Sequence, residues 1–151
     1  MGERRPGDHP SEPTPRIDTP VLREIRDRLR NVDYFESVEI TAAEGQTRLD
    51  AGFDPSISPP AVEERFLDIR WYTNDDFRIH YQENWTSHRW MQRWDRHPNE
   101  HNDREHVHPP PDASTPGVNH TWPRDYRDLM ARVISSLNDR TSELWVEVQQ
   151  E

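Results

Sequence analysis

"RFLDIRWYTNDDFRIHYQEN", residues 65–84, decides the fold class. Two runs of alternating residues, "RFLDIRWYT" and "DFRIHYQEN", are separated by Asn74-Asp75, a pair that turns a chain readily. Successive side chains of a strand point to opposite faces. Leu67, Ile69 and Trp71 therefore share one side of the first strand, and Phe77, Ile79 and Tyr81 one side of the second. "SHRWMQRWD" (87–95) continues the meander as a third strand with Trp90 and Trp94 inward. The outward faces carry Arg70, then Arg78, His80 and Gln82, then Arg89, Met91, Arg93 and Asp95. One sheet face should thus bring arginines, a histidine and a carboxylate together.

Working outward, residues 1–17 hold four prolines and two glycines among mixed charges and read as a disordered arm. Residues 18–151 read as a single domain. Thr19 can cap a helix and Pro20 suits its first position; Leu22, Ile25, Leu29 and Val32 then recur at helical spacing, which predicts a helix over 20–32. "YFESVEIT" and "QTRLDAGF" flank Ala43-Glu44-Gly45 as a hairpin, and "DPSISPPAVEE" (54–64) is a proline-broken loop. Near the carboxy terminus Tyr126, Leu129, Met130, Val133, Ile134 and Leu137, continued by Leu144, Trp145 and Val148, predict a long amphipathic helix over 124–148 that bends near Asn138. The expected fold is α+β: an antiparallel sheet of about five strands, with both helices packed on its apolar face.

Composition narrows the function classes. A chain of 151 residues can bury a modest core, but with 30% of residues apolar against 32% charged part of it is expected to lie outside the packing. The absence of cysteine excludes disulfides and thiolate metal sites. No apolar run approaches the roughly 18–20 residues of a membrane span, and no signal-like segment opens the chain, so a cytoplasmic protein is expected. The net charge is −10, yet all 19 basic residues are arginine. An acidic excess without lysine points to a cell with high internal salt, where carboxylates keep the surface hydrated and their repulsion is screened. In that setting local arginine clusters guide function better than net charge.

Seven of the eight histidines lie between 80 and 120. Three chemistries compete for them. Metal binding would use His97 and His101, or His106 and His108, with Asp95, Asp103 and Glu105 nearby. The segment matches no defined metal motif, however, and "HPNEH" opens with a proline outside a helix, so no metal or cofactor is assigned. Acid/base handling of a phosphodiester needs a proton carrier and fixed cations. His80, His97, His106 and His108 with Arg70, Arg78, Arg89, Arg93 and Asp95 supply both. Stacking of bases on tryptophan is the third; Trp71, Trp90 and Trp94 are assigned instead to the core, with Trp85 and Trp122 left open.

"FRIHYQEN", "RWDRHP" and "HVHPPP", followed by an amphipathic helix, resemble the TumE-like family of small toxins from toxin–antitoxin operons over roughly residues 66–145. The resemblance places the family's strand histidine on His80, its Arg and Asp on Arg93 and Asp95, its His-Pro on His97 and Pro98, and its last histidines on His106 and His108. A single histidine precedes Pro98 where the family often has two, the spacer "NEHNDRE" is long, and the first 60 residues exceed a minimal member. The resemblance implies an α+β toxin with a cognate antitoxin partner and nucleic acid as target; on the sheet-face reading Arg70, Arg78, Arg89 and Arg93 are the expected contacts to nucleic acid, RNA among the candidate partners. A non-catalytic RNA- or protein-binding module and a histidine-loop metal protein remain the alternatives.

Overall fold

A computed structural model describes residues 15–98 and 102–149. The proposed arm at 1–17 falls mostly outside them. Its last three residues run beside the sheet, where Ile17 bridges Tyr72 and the Thr73 N–H donates to the Arg16 carbonyl at 2.8 Å. Helix α1 spans Thr19–Arg30. Its cap is Asp18, not Thr19: the Asp18 carboxylate accepts from the Val21 N–H at 3.2 Å, while the Asp18 N–H is itself held by the Trp71 carbonyl. Leu22, Ile25 and Leu29 are buried as the periodicity requires, and the helix closes before Val32.

Among the described residues seven strands follow in chain order: β1 (Phe35–Ala43), β2 (Gln46–Phe53), β3 (Val62–Trp71), β4 (Phe77–Trp85), β5 (Arg89–Arg96), β6 (Glu105–His108) and β7 (Val118–Asn119). Each pairs antiparallel with the next, giving one meander. The hairpin between β1 and β2 turns on Glu44 and Gly45, both at positive φ (55° and 76°), the two-residue turn whose twist suits a hairpin. Helix α2 (Tyr126–Gln149) runs unbroken through Asn138.

The expected five strands become seven because the histidine-rich segment is not all loop. In β6, Glu105 and Val107 alternate with His106 and His108, and Val107 is the strand's sole apolar residue. Hydrophobic alternation cannot reveal a strand that short and polar, and β7 is only two residues long.

Both helices pack on the same face. Leu67, Ile69 and Trp71 of β3 and Phe77, Ile79 and Tyr81 of β4 meet Leu22, Ile25 and Leu29 of α1 and Leu129, Met130, Val133 and Leu137 of α2 in one core. Trp71 and Trp94 are buried as expected; Trp85 and Trp122 are buried too, whereas Trp90 is only partly covered. One polar cluster interrupts this apolar face. Glu83, fully buried, accepts from Arg140 Nε and Nη2 (2.8 Å each), the Tyr81 hydroxyl (2.6 Å) and Trp85 Nε1 (2.9 Å). The Arg140 guanidinium also lies 3.8 Å over the Trp90 ring. This clamp fastens the second half of α2 to β4 and leaves the opposite face of the sheet open for chemistry.

Candidate functional site

Strand register assembles the site on the face away from the helices. Arg70 pairs with Arg78, Arg78 with Asp95, and Asp95 with His106, forming one row across β3 to β6. The neighbouring row runs Asp68, His80, Arg93, His108. Period-two alternation puts both rows on one face, since each residue of the second lies two positions along its strand from one in the first.

Asp95 is the centre. It is fully buried, and its Oδ2 lies 2.9 Å from Arg93 Nε, 3.3 Å from His97 Nε2, 3.4 Å from His106 Nε2 and 3.0 Å from His108 Nε2. The rings of His97, His106 and His108 stand edge to face in sequence, at 5.0 Å and 4.8 Å between centroids. Burial works against the Asp95 charge, but hydrogen bonding from His97 and Arg93 prevails and holds its carboxyl below the usual range. The bond to Asp95 raises His97, while burial lowers His108. His97 is the member that solvent reaches, with its side chain 38% exposed; His106 is wholly enclosed.

Each imidazole is also held from behind. His97 Nδ1 meets the Pro98 carbonyl at 2.9 Å, His106 Nδ1 that of Asp103 at 3.0 Å, and His108 Nδ1 that of Ser114 at 2.9 Å. Asn102 fixes the segment that delivers these carbonyls: its Nδ2 donates to the Gly117 carbonyl at 2.7 Å and its Oδ1 accepts from the Gly117 N–H at 2.8 Å. A side chain at Gly117 would collide with the Val107 carbonyl, so this close approach requires glycine.

The arginines differ in state. Asp68 lies 3.5 Å from Arg70 and 4.0 Å from Arg48, and Arg93 is committed to Asp95. Among the described residues no carboxylate comes within 4 Å of Arg78. Burial, then the charges of Arg93 and Arg70, pull its guanidinium below its ordinary value. His80 beside it is lowered by burial; its Nε2 sits 3.0 Å from Gln82 Oε1, and its buried Nδ1 has no hydrogen-bond partner among the described residues.

Of the residues expected to form the site, His80, Arg78, Arg93, Asp95, His97, His106, His108 and Arg70 come together. Arg89 does not: it pairs with Asn84 at the far end of β5, four residues from Arg93, or roughly 13 Å along a strand. His101 lies outside the described residues. Asp103 meets His106 through its backbone carbonyl, and Glu105 points to the other face, 3.4 Å from Arg96. The sequence reading missed Asp68, although it shares the parity of Arg70. Asp95, His106 and His108 offer three ligand atoms within 4.8 Å of one another, a set able to hold a metal ion.

Residues 8–141 match the family model described as Toxin TumE. The chain belongs to the TumE toxin family. The TumE match begins ahead of α1 and takes in the first hairpin, so α1, β1 and β2 fall within the family model and are not an addition to it. No curated protein and no solved structure matches the chain. No helix among the described residues is long and apolar enough to cross a membrane.

Proposed function

We propose that this TumE family member is the toxin of a toxin–antitoxin pair, held in check by a cognate antitoxin, and that its polar sheet face acts on the phosphodiester backbone of RNA. The observation that carries the reading is Arg78. It is a half-buried guanidinium with no carboxylate partner among the described residues, set between Arg70 and Arg93 and paired across the strand with the histidine-ringed Asp95. Crowded cations of this kind are relieved by an anion, and arginine's fork suits a phosphate. In this reading Arg78, with Arg70 and Arg93 beside it, receives the phosphate. His80 and His97 are the imidazoles close enough to solvent to serve the reacting oxygens. Asp95, His106 and His108 lie beneath and act through the groups above them.

Expression without the antitoxin should arrest growth, and the purified protein should cleave RNA. Arg78→Ala should lower cleavage about 100-fold or more, the scale on which one electrostatic contact to a developing anion acts. Unaffected growth on expressing the wild type would refute the toxin reading. Arrest with RNA left bound but intact would replace cleavage by a non-catalytic binding role.

A further inference from the structure

The three imidazoles around Asp95 present it with the wrong nitrogen for a simple hydrogen-bond network. A carbonyl oxygen only accepts, so each Nδ1 facing a carbonyl carries a proton. In the neutral ring Nε2 is then a lone pair, and all three Nε2 atoms crowd the same carboxylate oxygen. Lone pairs facing an anion repel unless a proton or a cation lies between them. Supplying protons to all would gather three imidazolium ions and Arg93 around one carboxylate, two of them in buried rings 4.8 Å apart. Removing that much like charge from water is costly. The His108 contact is not shaped as a hydrogen bond either: among the described residues buried His108 Nε2, though 3.0 Å from Oδ2, has no hydrogen-bond partner, and neither has buried Asp95 Oδ1.

We propose that Asp95, His106 and His108 form a binding site for one divalent first-row transition-metal ion of the zinc type. Ligand bonds of about 2.0–2.1 Å at tetrahedral angles place neighbouring ligand atoms about 3.3 Å apart. The Nε2-to-Oδ2 separations of 3.4 Å for His106 and 3.0 Å for His108 bracket that edge. Backbone carbonyls behind Nδ1 are the usual partners of metal-bound histidines, since they fix the tautomer and raise ligand basicity. The elements deliver the set without a helix. His106 and His108 are two apart on β6 and therefore share a face, and Asp95 is the cross-strand partner of His106. His97, 3.3 Å from the same oxygen and open to solvent, borders the remaining position. Two histidines, one carboxylate and an accessible fourth side are the layout of metal sites that do chemistry. This site does not depend on the RNA reading.

Untagged protein, dialysed against a chelator, should take up one equivalent of Zn²⁺ or Co²⁺ per chain and melt at a higher temperature with either ion. Asp95→Asn and His108→Gln should each weaken uptake by more than about 100-fold, beyond the effect of losing an outer-shell partner. Replacing exposed His88 and His120 by alanine should leave the equivalent in place. Should the inner variants fail to fold, the Co²⁺-loaded wild type still decides: two paramagnetically shifted, exchangeable Nδ1–H proton resonances are expected. A wild type that takes up no metal, Co²⁺ protein lacking those resonances, or uptake unchanged in folded Asp95→Asn and His108→Gln, overturns the site. RNA cleavage by a protein that takes up no metal would remove this inference and leave the proposed function; metal uptake without action on RNA would do the reverse.

Discussion

Arg140→Met tests the architecture that frees the polar face. Glu83 is fully buried and accepts four hydrogen bonds, two of them from Arg140 at 2.8 Å each. The substitution keeps an unbranched side chain of similar reach over Trp90 but leaves Glu83 with only Tyr81 and Trp85. Burial and the neighbouring Glu83 both favour the protonated Tyr81 hydroxyl, although Arg65 opposes them, so Tyr81 remains a donor. Two neutral donors cannot replace a bidentate cation. Stranding one partner of a buried pair costs about 3–5 kcal/mol, and losing two charge-assisted bonds at about 1.5–3 kcal/mol each gives the same range. Against a total of about 5–15 kcal/mol this is a large share. Urea unfolding followed by circular dichroism at fixed salt measures it. Glu83→Gln combined with Arg140→Met should recover most of the loss, because both charges of the pair are then removed together. Growth arrest at a temperature where the variant is folded should persist, since the clamp lies on the opposite face from Asp95. A loss below about 1 kcal/mol, or a double variant no better than the single, would refute the reasoning.

Three further outcomes are expected. Gly117→Ala should destabilise by about 1–3 kcal/mol in the same unfolding assay, as an added methyl must displace the Val107 carbonyl and with it the strand bearing His106 and His108; an unchanged midpoint would deny that close approach. Glu44→Asn should stabilise by about 0.5 kcal/mol, because Glu44 holds φ at 55° in a two-residue hairpin turn for which Asn-Gly is preferred; a lower midpoint would show that the Glu44 side chain matters more than its backbone. In RNA-binding titrations Arg78→Ala should reduce affinity and lower the salt slope by about one contact, while Arg89→Ala should change neither; equal effects from the two would spread the contact beyond the two-row site.

Alternation made the central sheet readable because each strand face there is chemically uniform over three or more residues, as in Leu67-Ile69-Trp71 against Arg70 and in Arg78-His80 against Ile79. The same rule failed where a face changes character. Glu83 has the parity of Phe77, Ile79 and Tyr81, yet it is a charge; only its partner on α2, 57 residues away, explains its burial. Strand β6 failed for a second reason: four residues with one apolar side chain carry too little periodic signal, and its existence depends on pairing with β5. The site residues were legible as a list, since histidine, arginine and carboxylate are unusual together on one face. Their geometry was not. Register decides that His106 stands opposite Asp95 and His108 opposite Arg93, while Arg89, equal to Arg93 in parity, is carried out of reach by distance along the strand. His97 and His101 have the spacing of a helix face, whereas on a strand residues two apart, such as His106 and His108, share a face.

The net charge of −10 and a face proposed to receive an anion are compatible because the two act over different distances. In about 0.1 M salt charges are screened beyond about 10 Å, and in stronger salt sooner, so the acidic surface governs solubility and long-range approach but not contact. At contact range the partners count. Asp68 is taken by Arg70 and Arg48, and Asp95 by Arg93 and its histidines. The residual local charge is therefore Arg78, already strained towards its neutral form by burial and by Arg93 and Arg70. An anion bound there relieves a repulsion that the folded protein carries without it, which is a stronger ground for binding than any count of arginines. The two-sided sheet makes this affordable: apolar burial and the Glu83–Arg140 clamp hold the fold from one face, so the other can keep crowded charges and unpartnered polar atoms without the domain coming apart.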